Sequence, residues 1–172
     1  CHADHGTLQG QLRTLGVLGD KHIPGAYLRA PEADRRALLA GLLDTDGTLV
    51  RNGGSVQLAL TNERLAMDAW ELILSLGYKC THRTKAVPGR TPATSIAHIL
   101  TFSTTDDVFW MRRKADLHRE IRPSSTAKIG RRYVVDVRPI ESVPVRCVEV
   151  DNADHLYLAG RTMIPTHNST LG

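Results

Sequence analysis

Leu39-Ala40-Gly41-Leu42-Leu43-Asp44-Thr45-Asp46-Gly47 is the stretch that decides how this chain folds. Just upstream, Pro31-Glu32-Ala33-Asp34 places a proline and acids where a helix begins. The helix runs through Arg35-Arg36-Ala37-Leu38 and stops near Asp46-Gly47. Gly41 inside it costs about 1 kcal/mol relative to alanine. Close approach of a second helix against Ala40 and Gly41 would give that glycine a reason. The helix ends by presenting Asp44 and Asp46 at its tip, and Gly47 lets the chain turn away. A carboxylate there can hold Mg²⁺, which prefers oxygen ligands and keeps waters for chemistry. A metal so held can stabilise the attacking and leaving oxygens of phosphodiester hydrolysis. A polar helix terminus without a ligand is the plainer reading of the same two residues.

Outward from this helix, strands are predicted at Thr48–Arg51 and Ser55–Thr61, joined at Asn52-Gly53-Gly54, since Asn-Gly between β-prone runs signals a hairpin. Asn62 caps a helix from Glu63 to Leu76, with Leu65, Ala69, Leu72, Ile73 and Leu76 on one face and Gly77 beyond its end. Strands at Tyr78–Lys85 and Ser95–Ser103 follow, joined by Val87-Pro88-Gly89-Arg90, and Thr105 is expected to cap a basic helix ending near Glu120. From Glu32 the order is therefore αββαββα. Before it lie a short helix, Thr7–Leu18, and the extended segment Lys21-His22-Ile23-Pro24. Beyond the linker Arg122-Pro123-Ser124-Ser125-Thr126 the pattern changes to strands alone, at Tyr133–Val137, Val145–Asp151, His155–Leu158 and Arg161–Ile164. The fold class is α+β, with an α+β module followed by a β module.

The chain has 172 residues and 41% hydrophobic content, enough for a packed core. Cys1, Cys80 and Cys147 form no C-x-x-C pair, which argues against zinc or a disulfide framework. No apolar run reaches the ~18 residues of a membrane helix, and no signal-peptide pattern opens the chain. A soluble, cytoplasmic protein is expected. The net charge of +4 hides an asymmetry: residues 79–138 hold 13 Lys+Arg against 5 Asp+Glu. Positive charge concentrated in one third of a chain marks a nucleic-acid surface or a solvated basic face. Arg83, Lys85, Arg90, Arg112, Arg113 and Lys114 are the DNA-contact candidates within it.

Residues 39–47 with their αββαββα surround resemble the LAGLIDADG homing endonucleases. The resemblance implies Mg²⁺-dependent cleavage of double-stranded DNA, with Asp46 as metal ligand and Asp44 secondary. Lys21 matches a position where such endonucleases place a catalytic lysine; an exposed loop residue is the equal alternative. The family pairs two such helices, and this chain has one copy. Residues 1–30 are then the tail of a truncated first repeat with its connector, 31–122 the repeat itself and 123–130 a linker. The resemblance leaves the site half present, to be completed by a missing N-terminal half or by a second copy.

The chain ends in Pro165-Thr166-His167-Asn168-Ser169. The Asn168 side-chain nitrogen can attack its own main-chain carbonyl, forming a succinimide and releasing the residues beyond it. His167 can protonate or hydrogen-bond that peptide, a role that contributes about 10²–10⁴-fold, and the Ser169 hydroxyl can receive an acyl group. Together with Val145-Arg146-Cys147-Val148-Glu149-Val150 and His155-Leu156-Tyr157-Leu158-Ala159-Gly160, this end resembles the two C-terminal blocks of an intein. Cys147, in place of the usual Asp, and Thr166 before His167 look like the class 3 inteins, in which an internal cysteine attacks the upstream junction. A thiol with a pKa near about 8.5 suits that task, although a small buried strand residue is also a reading of Cys147. By the same resemblance His155 assists the Asn168 step, or else is a turn residue after Asn152-Ala153-Asp154. Cys1, followed by His2-Ala3-Asp4-His5, fits no opening block and reads as a truncation point. Residues 131–168 would be the C-terminal splicing segment of a Hint domain. Residues 169–172, Ser-Thr-Leu-Gly, would be the tail of a host phosphate-binding loop. From Leu15 onward the chain is similar to inteins that interrupt the ATP-binding DnaB-type replicative helicase of mycobacteria. Its DNA partner would then be the intein-free helicase gene. The alternative is a stand-alone or degenerate LAGLIDADG module without splicing activity.

Overall fold

The helix that carries residues 39–47 spans Glu32–Asp46 (α3), preceded by Leu8–Thr14 (α1) and Gly25–Leu28 (α2). The computed structural model describes residues 7–88, 94–124, 133–144, 146 and 148–167. Two compact units divide the chain, residues 1–130 and residues 131–172.

In the first unit α3 runs directly into β1 (Gly47–Val50), which pairs with β2 (Ser55–Leu60); then come α4 (Glu63–Ser75), β3 (Cys80–Pro88), β4 (Thr94–Phe102) and α5 (Arg112–Ile121). The strands form one antiparallel sheet in the order β1-β2-β4-β3. Asn62 Oδ1 accepts from the Leu65 N–H at 2.8 Å, capping α4, and Gly77 closes it at φ +84°. The sequence predicted both. On one face of the sheet Val56, Leu58, Leu100 and Phe102 are buried, and Ala66, Ala69, Leu72 and Ile73 of α4 share that core with Leu39 and Leu43 of α3. Two buried acids on α4 hold the segment that leads into α3: Asp68 Oδ2 accepts from the Ile23 N–H at 3.1 Å, and Glu71 pairs with Arg29 at 2.7 Å. The front of α3 is tied down by Arg36, which donates to Tyr78 Oη at 2.6 Å, while that hydroxyl donates to Asp106 at 2.7 Å. Burial, reinforced by Asp106, pushes the Tyr78 phenol up to about 12.

The helix expected from Thr105 begins seven residues later, at Arg112. Thr104 Oγ1 accepts from the Asp106 N–H at 3.0 Å and makes a turn. The chain then buries the adjacent Val108 and Phe109 as an irregular strap. His118 of α5 is buried edge-on to Phe109, and burial, then the Arg122 charge, pushes its imidazole below the ordinary range. The short α2 was also not foreseen.

The second unit differs more from expectation. Its regular structure among the described residues is one hairpin, β5 (Tyr157–Ala159) with β6 (Ile164–Thr166). Residues 133–144 form no strand, and neither do the described residues of 145–151; both expectations are corrected. Tyr133, Val134, Val135 and Val137 are all exposed, so this apolar run is not buried against a neighbouring strand. A strand needs a neighbour to take its N–H and C=O groups, and a lone extended segment has none. The hairpin strands also begin two and three residues later, and end one and two residues later, than the predicted strands His155–Leu158 and Arg161–Ile164. His155 adopts φ +50°, which ends strand geometry before Leu156.

Candidate functional site

At the tip of α3 the two aspartates take different roles. The Asp44 carboxylate accepts from the Met111 N–H at 3.1 Å and the Trp110 N–H at 3.3 Å, so it holds the chain that enters α5. Asp46 is exposed, and its carboxylate is met by Thr45 Oγ1 at 3.5 Å. Lys114, one turn into α5, donates its Nζ to the carbonyls of Leu43 (2.8 Å), Asp44 (2.9 Å) and Gly47 (2.7 Å). Those carbonyls are the orphan acceptors at a helix C-terminus, and the ammonium offsets the negative end of the α3 dipole beside two carboxylates. Burial, then the Arg113 charge, lowers the Lys114 pKa, while Asp44 and Asp46 pull it back up. Lys114 was a DNA-contact candidate; its ammonium is instead occupied in closing α3. Lys114→Met is expected to cost about 1–3 kcal/mol by leaving carbonyls unsatisfied, measured as a lower urea midpoint at unchanged slope.

Gly41 is exposed, and a Cβ placed there would meet nothing within 4 Å. Among the described residues no element of the first unit supplies the close approach its presence suggested, so that face of α3 is open to them. Among the described residues no three His, Cys, Asp or Glu side chains cluster as a metal site. One exposed carboxylate with room for water nevertheless suits Mg²⁺, which is commonly held by one or two carboxylates plus substrate phosphates. Asp46 is the residue that fits.

Gly47 continues straight into β1, whose Thr48 opens the other face of the sheet. Register places Thr48 beside Gln57, Gln57 beside Thr101 and Thr101 beside Thr81, a polar row across all four strands. The next positions on this face are Ala59, Ile99 and Arg83, then Ala97 and Lys85. Arg83 and Lys85 are exposed on the edge strand β3. Arg112 and Arg113 are exposed at the start of α5, Arg112 with a loose ion pair to Asp116 at 3.7 Å and Arg113 with Nε on Met111 Sδ at 3.1 Å. Arg90 lies outside the described residues. Lys21 is exposed, in a segment fixed by the Asp20–Arg64 ion pair and the Ile23–Asp68 hydrogen bond. The polar row was missed because Thr48, Gln57, Thr81 and Thr101 are uncharged. Period-two alternation about Val56, Leu58, Leu100 and Phe102 was the signal that could have found it.

In the second unit Tyr157 pairs with Thr166, so His155 and His167 flank the same end of the hairpin. Thr166 Oγ1 donates to the Ile164 carbonyl at 3.1 Å, and His155 Nδ1 lies 3.2 Å from the Val150 carbonyl. Asn152 Nδ2 bonds Asp154 Oδ1 and the Leu156 carbonyl at 2.6 and 2.8 Å, which holds His155 in its left-handed turn. Cys147, Asn168 and Ser169 lie outside the described residues. Cys80 is buried with its thiol pushed up to about 12, so it is no nucleophile at neutral pH.

A family model for the LAGLIDADG-like domain matches residues 33–114, from the first turn of α3 to Lys114. The replicative DNA helicase DnaB of Mycobacterium intracellulare is 62% identical over 168 residues, 97% of this chain and 29% of that protein. Together these similarities support an intein within a DnaB-type helicase, with a LAGLIDADG-like domain over residues 33–114. The DnaB of Mycobacterium leprae is 83% identical over 36 residues, 21% of this chain and 6% of that relative. The chain thus spans less than a third of the helicase sequences it matches. No helix among the described residues is long and apolar enough to cross a membrane.

Proposed function

We propose that the first unit is one half of a Mg²⁺-dependent DNA endonuclease and that the second carries the C-terminal chemistry of protein splicing. The observation that carries the first half is the exposed Asp46 carboxylate, two residues from the Thr48 that opens the polar sheet face. Mg²⁺ bound there would supply charge stabilisation to the oxygens of a phosphodiester. The protein's own part is to hold, through Lys114, the end of α3 that bears the carboxylate and to offer the face of Thr48, Gln57, Thr81, Arg83 and Lys85 to duplex DNA. The open face of α3 at Gly41 suits a second helix of the same kind, from an upstream repeat or a second copy, bringing the second carboxylate. The DNA partner would be the uninterrupted helicase gene, and the setting the cytoplasm. Lys21 and Arg90 are kept as supporting contacts. Replacing Arg83 and Lys85 together by alanine is expected to weaken duplex binding and to lower the slope of log affinity against log salt by about 2. Fluorescence anisotropy across a salt series measures it.

For splicing, the end of the hairpin that gathers His155 and His167 supports assistance to Asn168. The Asn168 amide nitrogen attacks its own carbonyl carbon, the 168–169 peptide bond breaks, and the Ser169 amine leaves with a proton, which His167 can deliver. Thr166 positions that histidine at the end of β6. Cys147 would attack the upstream junction and pass the acyl group to Ser169. Purified chain is expected to lose residues 169–172 on incubation, with a succinimide at the new end, and Asn168→Ala to stop the loss; intact mass spectrometry reads both. A DNA-binding module without splicing is the second reading. It is favoured by the contrast between units: the first forms a core from its own residues, while the second leaves Val135, Val137 and Ile140 exposed.

A further inference from the structure

Trp110 is 69% exposed, and the neighbouring Met111 is 37% exposed. Large apolar side chains shown to solvent on a fixed backbone are a contact in waiting. This backbone is fixed: the N–H groups of both residues donate to the Asp44 carboxylate at the tip of α3. Neither side chain is in the polar row, and neither comes within 4 Å of a Cβ placed at Gly41. Arg112 follows with its side chain 95% exposed, and Arg113 is exposed beside it. Lys114, by contrast, turns its ammonium onto the α3 carbonyls, so the two arginines, Arg112 only loosely paired with Asp116, provide the exposed positive charge here.

We propose that Trp110 and Met111, flanked by Arg112 and Arg113, form an apolar contact for duplex DNA beside the carboxylate tip of α3, with the arginines on the phosphates. The proposal rests on the reading of the first unit as DNA-cleaving and adds a positioning element to it. The occupant is DNA rather than a second protein copy on two grounds. Two apolar side chains fall far short of the roughly 800 Å² per partner of a stable protein interface. Their neighbours are arginines, whereas protein interface cores are depleted of charge. An indole can stack on a base or sugar whatever the sequence, and Met can wedge between base steps. Anchoring through Asp44 ties that contact to the helix whose tip carries Asp46, so the wedge and the carboxylate meet the duplex together.

Trp70 is the other tryptophan, with its indole N–H on the Cys80 carbonyl at 3.3 Å, so Trp70→Phe leaves Trp110 as the reporter. That variant is titrated with a short mixed-sequence duplex at low salt, following labelled-DNA anisotropy and acrylamide quenching of the indole together. The expected result is binding accompanied by shielding of Trp110. Trp110→Ala should weaken binding by roughly 5- to 100-fold, with Trp110→Phe recovering most of it. Duplex binding with Trp110 still fully quenchable would overturn the contact and leave the DNA reading standing. Absence of duplex binding would overturn both. Shielding that follows protein concentration without DNA would assign the patch to a second copy and overturn the proposal.

Discussion

Asp46→Asn is expected to lower DNA cleavage by about 10²–10³-fold, the scale of losing one preorganised charge-stabilising group, while duplex affinity stays within a few-fold. The asparagine keeps the size of the side chain and its contact with Thr45 but removes the charge that would hold Mg²⁺. Asp44→Asn should behave differently. Its carboxylate accepts two backbone N–H groups at 3.1–3.3 Å, so the loss falls on the junction of α3 with α5. Charge-assisted bonds to backbone N–H are worth about 1.5–3 kcal/mol, and that cost would be read in the melting temperature before the cleavage rate. The pair of variants separates chemistry from scaffold at adjacent acids, by cleavage rate, duplex affinity and thermal stability measured side by side.

Gly54→Ala is expected to destabilise the first unit by about 2–5 kcal/mol, seen as a large fall in the urea midpoint. Gly54 sits at φ +63°, and a Cβ there would lie 2.1 Å from the Ile121 carbonyl oxygen and 2.7 Å from the Arg122 Cα. Both are backbone atoms at the end of α5 and cannot rotate aside. Gly53, one residue earlier, has φ +94° but open space around a Cβ. Gly53→Ala should therefore cost only about 1–2 kcal/mol of left-handed strain. A similar loss at both positions would show that α5 does not pack on the β1–β2 turn.

Much of the first unit was legible because its signals are local. Asn62, Gly77 and Asn52-Gly53-Gly54 act within a few residues, and the structure uses them as cap, stop and turn. The start of α5 was not legible. Thr105 offers a plausible local cap, but the helix begins where Asp44, far earlier in the chain, reaches the Trp110 and Met111 amides. Lys114 misled for the same reason: composition marks it as basic surface, and only the fold brings it onto the end of α3. In the second unit Tyr133–Val137 was read as a strand, yet a strand is a property of a pair. The family resemblance located the LAGLIDADG-like domain, which the match over residues 33–114 bears out. The separate jobs of Asp44 and Asp46 required the geometry.

The most direct test of the proposed DNA-cleaving half-site is strand scission. The chain, joined to the stretch that precedes the matching segment in the Mycobacterium intracellulare DnaB, is incubated with plasmid carrying the uninterrupted helicase sequence, with Mg²⁺ or with a chelator. A single Mg²⁺-dependent cut at that sequence, lost in Asp46→Asn, is the predicted result. Plasmid left intact under all conditions, or cut equally by Asp46→Asn, would contradict it.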